Sequence, residues 1–137
     1  MHKKSILVVD DDHDMLNLYH HYLKELVEQV DLVFEPETVL ERLRFKKYDL
    51  VITDILMPKV NGIDLTKDIL NEYPKLPVLV CSEGGTTDAR EIVAGIVMNK
   101  AISFGALHAL KKPFKKPELV KVVDSILSGN LDALKED

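Results

Sequence analysis

The chain has 137 residues, one domain's worth, with 46% hydrophobic and 30% charged residues and a net charge of −5. That balance carries no basic footprint for nucleic acid or an anionic membrane. A single cysteine, Cys81, excludes a disulfide framework and a thiolate metal cluster, and Ile6–Val9 is too short for a signal-peptide core or a membrane span, so the expected location is a reducing cytoplasm.

Taken in chain order, short apolar runs alternate with helical patterns. Ser5–Asp10 is apolar and closes on acid. Asp12–Val30 carries Leu16, Tyr19, Leu23 and Leu26 at helical spacing. Val30–Phe34 reads as a second strand, and Glu37–Phe45 as a helix with Val39, Leu40 and Leu43 inward. Tyr48–Thr53 is a third apolar run, closed by Asp54. Ile63–Leu70 is helical, and Pro74 and Pro77 punctuate its exit. Leu76–Cys81 is the fourth run. Thr86–Phe104 carries an unbroken apolar stripe that includes Ala101 and Phe104, with Gly105 suited to end it. Ala106–Leu110 is a weaker fifth strand. Pro117–Leu127 is a last helix, with Leu119, Val122, Val123 and Ile126 inward and proline in its first turn.

Five strands alternating with helices predict an α/β domain whose parallel sheet is covered on both faces. Right-handed crossovers favour the doubly wound, flavodoxin-like order 2-1-3-4-5. The domain is expected over residues 4–128, with a polar tail at 129–137 that frays.

In such sheets ligands bind beyond the carboxyl ends of the strands. Asp10, Asp11 and Asp12 follow the first strand, Asp54 the third, Ser82 the fourth, and Lys111, Lys112 and Pro113 the fifth. Converging carboxylates repel, and a hard cation with oxygen ligands is the usual remedy; Mg²⁺ suits two or so carboxylates with waters and phosphate oxygens. A carboxylate beside it can attack phosphorus, with a hydroxyl and a lysine holding the other phosphoryl oxygens. Each residue alone has a plainer role: Asp12 reads as a helix cap, Asp54 could be turn chemistry before Met57-Pro58 and Asn61-Gly62, and Lys111 reads as a solvated charge. Their joint placement at one sheet edge points to a site.

These residues, as spaced, resemble the receiver domain of bacterial response regulators over roughly Lys4 to Leu127. Ile6-Leu-Val-Val-Asp-Asp resembles the family's first strand and acidic pair. Tyr48-Asp-Leu-Val-Ile-Thr-Asp-Ile-Leu-Met-Pro with Asn61-Gly62 resembles its phosphorylation segment. Leu76-Pro-Val-Leu-Val-Cys-Ser resembles its fourth strand and hydroxyl residue, and Gly105 to Phe114 its fifth strand and lysine–proline turn. The resemblance implies that a sensor histidine kinase or phosphotransfer protein phosphorylates Asp54. It implies Mg²⁺ (or Mn²⁺) ligated by the Asp11 and Asp54 carboxylates and the Leu56 backbone carbonyl, with Asp10 acting through water. Ser82 and Lys112 would hold the phosphoryl group, and the Lys112–Pro113 peptide is expected to be cis. Phosphorylation would switch a surface of the fourth helix, fifth strand and fifth helix, through which a downstream protein, or a second copy as a homodimer, would bind.

Three features depart from the family pattern. Glu83 stands where a small residue is usual, either repelling a phosphoryl donor or pointing to solvent. Ala109 replaces the usual rotating aromatic, and His108 beside it should face the other way, at the surface. Ser82 and Lys112 are separated by about two helical turns more than is usual, which predicts a longer fourth helix. Met98 and Ile102 lie off its main apolar face, and Gly84-Gly85 makes its entry pliable; this predicts either a partner surface or extra core. Leu56 and Gly84 flank the phosphoryl site and are expected to tune it.

No output domain fits after the last helix, so a stand-alone receiver acting by protein contact or phosphoryl relay is expected, with no enzymatic role beyond its own phosphorylation and dephosphorylation. One alternative is a binding module that works without phosphorylation, favoured by Glu83 and Ala109. A weak one is a phosphatase of the haloacid dehalogenase type, on the likeness of Asp10-x-Asp12, although Asp14 lies where that family wants Thr or Val. A flavin-binding flavodoxin is weaker still, because its first loop should be rich in hydroxyls.

Overall fold

The computed structural model describes residues 2–57, 59–83 and 99–135. Five strands form one parallel sheet: β1 (His2–Val9), β2 (Val27–Val33), β3 (Leu50–Asp54), β4 (Val78–Glu83) and β5 (His108–Lys112). Their order is β2-β1-β3-β4-β5, the doubly wound order expected from the alternation. The helices are α1 (His13–Leu23), α2 (Val39–Phe45, entered through a 3₁₀ turn at Pro36–Thr38), α3 (Gly62–Glu72), α4 (described over 99–103) and α5 (Lys116–Ser128).

The sheet divides the core in two. Ile6, Val8, Ile52 and Cys81 point toward α1 and α5, where they meet Tyr19, Leu119 and Val123. Leu7, Val9, Val51 and Val80 point the other way, toward Val39, Ile69 and Ala101 of α2, α3 and α4. This alternation explains why the inner strands read as continuous apolar runs: both faces of β1 and β3 are covered.

Several boundaries differ from expectation for identifiable reasons. The helical spacing extends to Val30, yet α1 stops at Leu23 and Val27 already belongs to β2. β1 reaches back to His2 and offers Val27 a ladder partner, so β-branched residues join the sheet instead of prolonging the helix. β5 begins at His108 rather than Ala106, in register with a fourth strand that runs on to Glu83. Gly105, at φ 112°, ends α4 as predicted. Phe104 is not on the inward stripe: it is 39% exposed, with the Lys67 ammonium 4.5 Å from its ring centre. The tail does not simply fray; Leu131–Lys135 forms a 3₁₀ turn and Leu134 packs on the core. Met98, Gly84 and most of the segment expected to form a longer fourth helix lie outside the described residues, as does the Glu83 side chain.

Candidate functional site: an acid cleft at the carboxyl edge

Parallel strands end at one edge, and the loops after β1, β3 and β5 meet there. Asp10 follows β1 and is 1% exposed, while Asp54 closes β3 at 7%. Asp11 is half-buried beside them. One carboxylate oxygen from each of these three lies within 4.8 Å of the others. Lys112, at the end of β5 and 4% exposed, donates to Asp10 Oδ2 at 2.8 Å and stands 3.5 Å from Asp54 Oδ2. With Leu56 and Asp12 these residues line a cleft of about 240 Å³. The Lys112–Pro113 peptide that turns the chain away is cis, as expected.

Local sequence sets these positions. Asp12 is the N-cap of α1, its carboxylate accepting from the Asp14 amide at 2.9 Å, while the Asp12 amide donates to Asp10 Oδ1 at 3.0 Å. The plain reading of Asp12 is therefore the observed one. Asn61 caps α3 by accepting from the Ile63 amide at 2.7 Å. The next residue, Gly62, matters for a reason the turn motif does not convey. A Cβ there would fall 2.2 Å from the Asp54 carbonyl oxygen and 2.6 Å from Ile55 Cα. The Gly62 amide donates to Ile55 O at 2.8 Å, so α3 starts in direct contact with the backbone that carries Asp54.

Burial is the main electrostatic influence. It pushes the Asp54 carboxyl up to about 6; Lys112 pulls it back and Asp10 adds to the rise. Asp10 is raised too, again mainly by burial and against the pull of Lys112. Burial works against charge on Lys112, but the two carboxylates outweigh it and hold its pKa up. Asp54 Oδ1 and Ser82 Oγ are buried without a hydrogen-bond partner among the described residues. Three crowded carboxylates, one with an unbonded oxygen, form a donor set that a hard divalent cation fits.

Of the residues singled out from sequence, Asp10, Asp11, Asp54, Leu56 and Lys112 meet around this cleft. Ser82 sits at the same edge, fully buried and outside the lining. Ala109 is half-buried against the α3 side of the core. His108 is half-buried rather than a surface histidine, and burial lowers its pKa. Lys111 is exposed. Beneath the site lie two residues that sequence reading missed, Cys81, paired in the ladder with Asp54, and Tyr19 of α1. Tyr19 appears in the sequence only as one more apolar position on a helical stripe.

Fold, order and acid cleft together are those of a phospho-signalling receiver, and the chain belongs to the response regulator receiver domain family, whose profile matches residues 6–124. It is 32% identical over 129 residues to the chemotaxis protein CheY of Halobacterium salinarum, covering 92% of this chain and 98% of that protein. It is 34% identical to the DNA-binding transcriptional regulator NtrC of Azospirillum brasilense, covering 95% of this chain and 25% of that one. Coverage falls to 19% and 17% of two longer relatives, from Arabidopsis thaliana and Dictyostelium discoideum. The crystal structure of the receiver domain of NtrX from Brucella abortus superposes with a TM-score of 0.79 at 28% identity, covering 90% of this chain and 98% of that one. Among the described residues no helix is long and apolar enough to cross a membrane.

Proposed function

We propose that Asp54 accepts a phosphoryl group from a histidine kinase or phosphotransfer protein, with Mg²⁺ (or Mn²⁺) as the resident cation. One observation carries this reading: a buried carboxylate with an unbonded oxygen faces two further acids and a lysine in an open cleft. The Asp11 and Asp54 carboxylates and the Leu56 carbonyl would hold the cation, with Asp10 acting through water. When bound, the cation offsets the charge that keeps phosphate out of an acidic cleft.

The chain's own groups do the rest. An Asp54 carboxylate oxygen bonds to phosphorus as the donor's P–N or P–O bond breaks and its electron pair leaves with the donor. Lys112, charged and held between Asp10 and Asp54, pairs with the new phosphoryl oxygens. The buried Ser82 hydroxyl, without a partner among the described residues, takes another by shifting toward it. That shift is what a surface of α4, β5 and α5 would report to a downstream protein in the cytoplasm. Asp12 is engaged as a helix cap, which speaks against a phosphatase that needs it as an acid.

Intact-mass measurement after acetyl phosphate treatment tests the assignment. One added phosphoryl group is expected only with Mg²⁺, and none in Asp54→Ala. Modification that persists in Asp54→Ala would overturn it. Ala109 keeps a second reading alive, a module that binds without phosphorylation, because no aromatic can rotate at that position. Mg²⁺-dependent beryllofluoride binding that leaves the α4–β5–α5 amide signals unmoved would favour that reading.

A further inference from the structure

The amino-terminal edge of the sheet, opposite the acid cleft, carries a groove of about 670 Å³ between the α2–β3 and α3–β4 loops. Nothing in the phosphoryl chemistry uses it. Leu43 and Tyr48 are buried in its floor, with Tyr73 and Leu76 half-buried beside them. Phe45 stands at its wall, 84% exposed. This phenylalanine is not on a loose end. The Lys46 amide donates to Arg42 O at 3.0 Å, and the Lys46 ammonium reaches Asp31 at 2.9 Å. The Tyr48 hydroxyl donates to the same carboxylate. A large apolar ring held in water by anchored neighbours, above an apolar floor, marks a contact surface.

Charge on the rim selects the occupant. Arg44 and Glu72 pair across the groove at 3.4 Å, and Lys46 is engaged by Asp31. The Asp49 carboxylate accepts from the Ser5 amide at 2.9 Å. Lys47 and Lys75 are exposed, with no ionic partner among the described residues. In a chain of net charge −5 this rim is locally basic. It has too few cations to follow a nucleic-acid backbone. We propose that the groove docks an acidic peptide segment of a partner protein, its apolar side chains packing on Phe45 and Tyr73 and its carboxylates meeting Lys47 and Lys75.

The test is amide NMR of the ¹⁵N-labelled full chain. The probe is a short synthetic peptide alternating glutamate and leucine around one phenylalanine; the control has lysine at every glutamate. The glutamate peptide is expected to shift amides within residues 43–49 and 72–76. Affinity should fall roughly tenfold in Phe45→Ser and in the Lys47→Glu/Lys75→Glu double variant. Both variants alter exposed side chains, so their spectra should stay native and Asp54 should still take phosphate. No shift at these loops, equal shifts from the lysine peptide, or variants that bind as well as the parent would each overturn the proposal. So would concentration-dependent shifts of the same amides without peptide, which would assign the groove to a second copy of the chain.

Discussion

Asp54 and Asp31 each lie near a lysine, yet their surroundings move them in opposite directions. At Asp54, burial dominates, Lys112 is shared with Asp10, and the carboxyl is pushed up to about 6. At Asp31, burial is again the first influence, but hydrogen bonds from Tyr48, Lys46 and Gln29 outweigh it and lower the pKa. Asp31 is a satisfied acid that ties β2 to the α2–β3 loop. Asp54 is an under-satisfied acid held in place by its neighbours. The contrast separates a structural carboxylate from one kept ready for chemistry.

The largest expected effect comes from the backbone that holds Asp54. Gly62→Ala would press a methyl group into the Asp54–Ile55 backbone, which cannot swing aside as a side chain would. It should cost more than about 3 kcal/mol in urea unfolding and depress phosphoryl uptake. Next, Asp31→Ala should cost about 2–3 kcal/mol, because Tyr48 and Lys46 lose a charged acceptor together. Since the Asp31 pKa is lowered, its contribution is present at neutral pH and is lost as pH falls below the ordinary aspartate range through its own lower value.

Asp54→Asn should act with the opposite sign. A raised carboxyl pKa means that the folded state resists the charge, so without metal the penalty is complete above about pH 6. It is relieved as pH falls from there toward the ordinary aspartate value. The variant should therefore be more stable than the parent by something on the order of 3 kcal/mol at neutral pH, and the gap should close on acidification. Destabilisation by both aspartate substitutions would break the comparison. Tyr19→Phe should have the smallest effect, under about 1 kcal/mol, because its buried hydroxyl faces only the Cys81 thiol, a weak hydrogen-bond partner.

The order of the strands and the convergence of Asp10, Asp11, Asp54 and Lys112 were legible because both follow from short-range pattern and one topological rule. Apolar runs that end in acid place the acids at one sheet edge once the strands are parallel. The end of α1 was not legible, since Leu26 fits a helix as well as it fits the approach to a strand; the partner at His2 decides it. The role of Gly62 was hidden because a turn glycine and a close-packed glycine look alike in sequence. Phe104 matched the helical period, but its ring lies part-exposed beneath Lys67 instead of inward. Asp31 and Tyr48, far apart in the chain, gave no joint signal at all.

A carboxyl-carbon NMR titration, run with and without Mg²⁺, tests the difference between the two acids most directly. Without metal, Asp54 should titrate near 6 and Asp31 below the ordinary aspartate value; adding Mg²⁺ should drive Asp54 down and leave Asp31 where it was. An Asp54 that titrates as an ordinary aspartate without metal, or that ignores Mg²⁺, would contradict the account of the cleft.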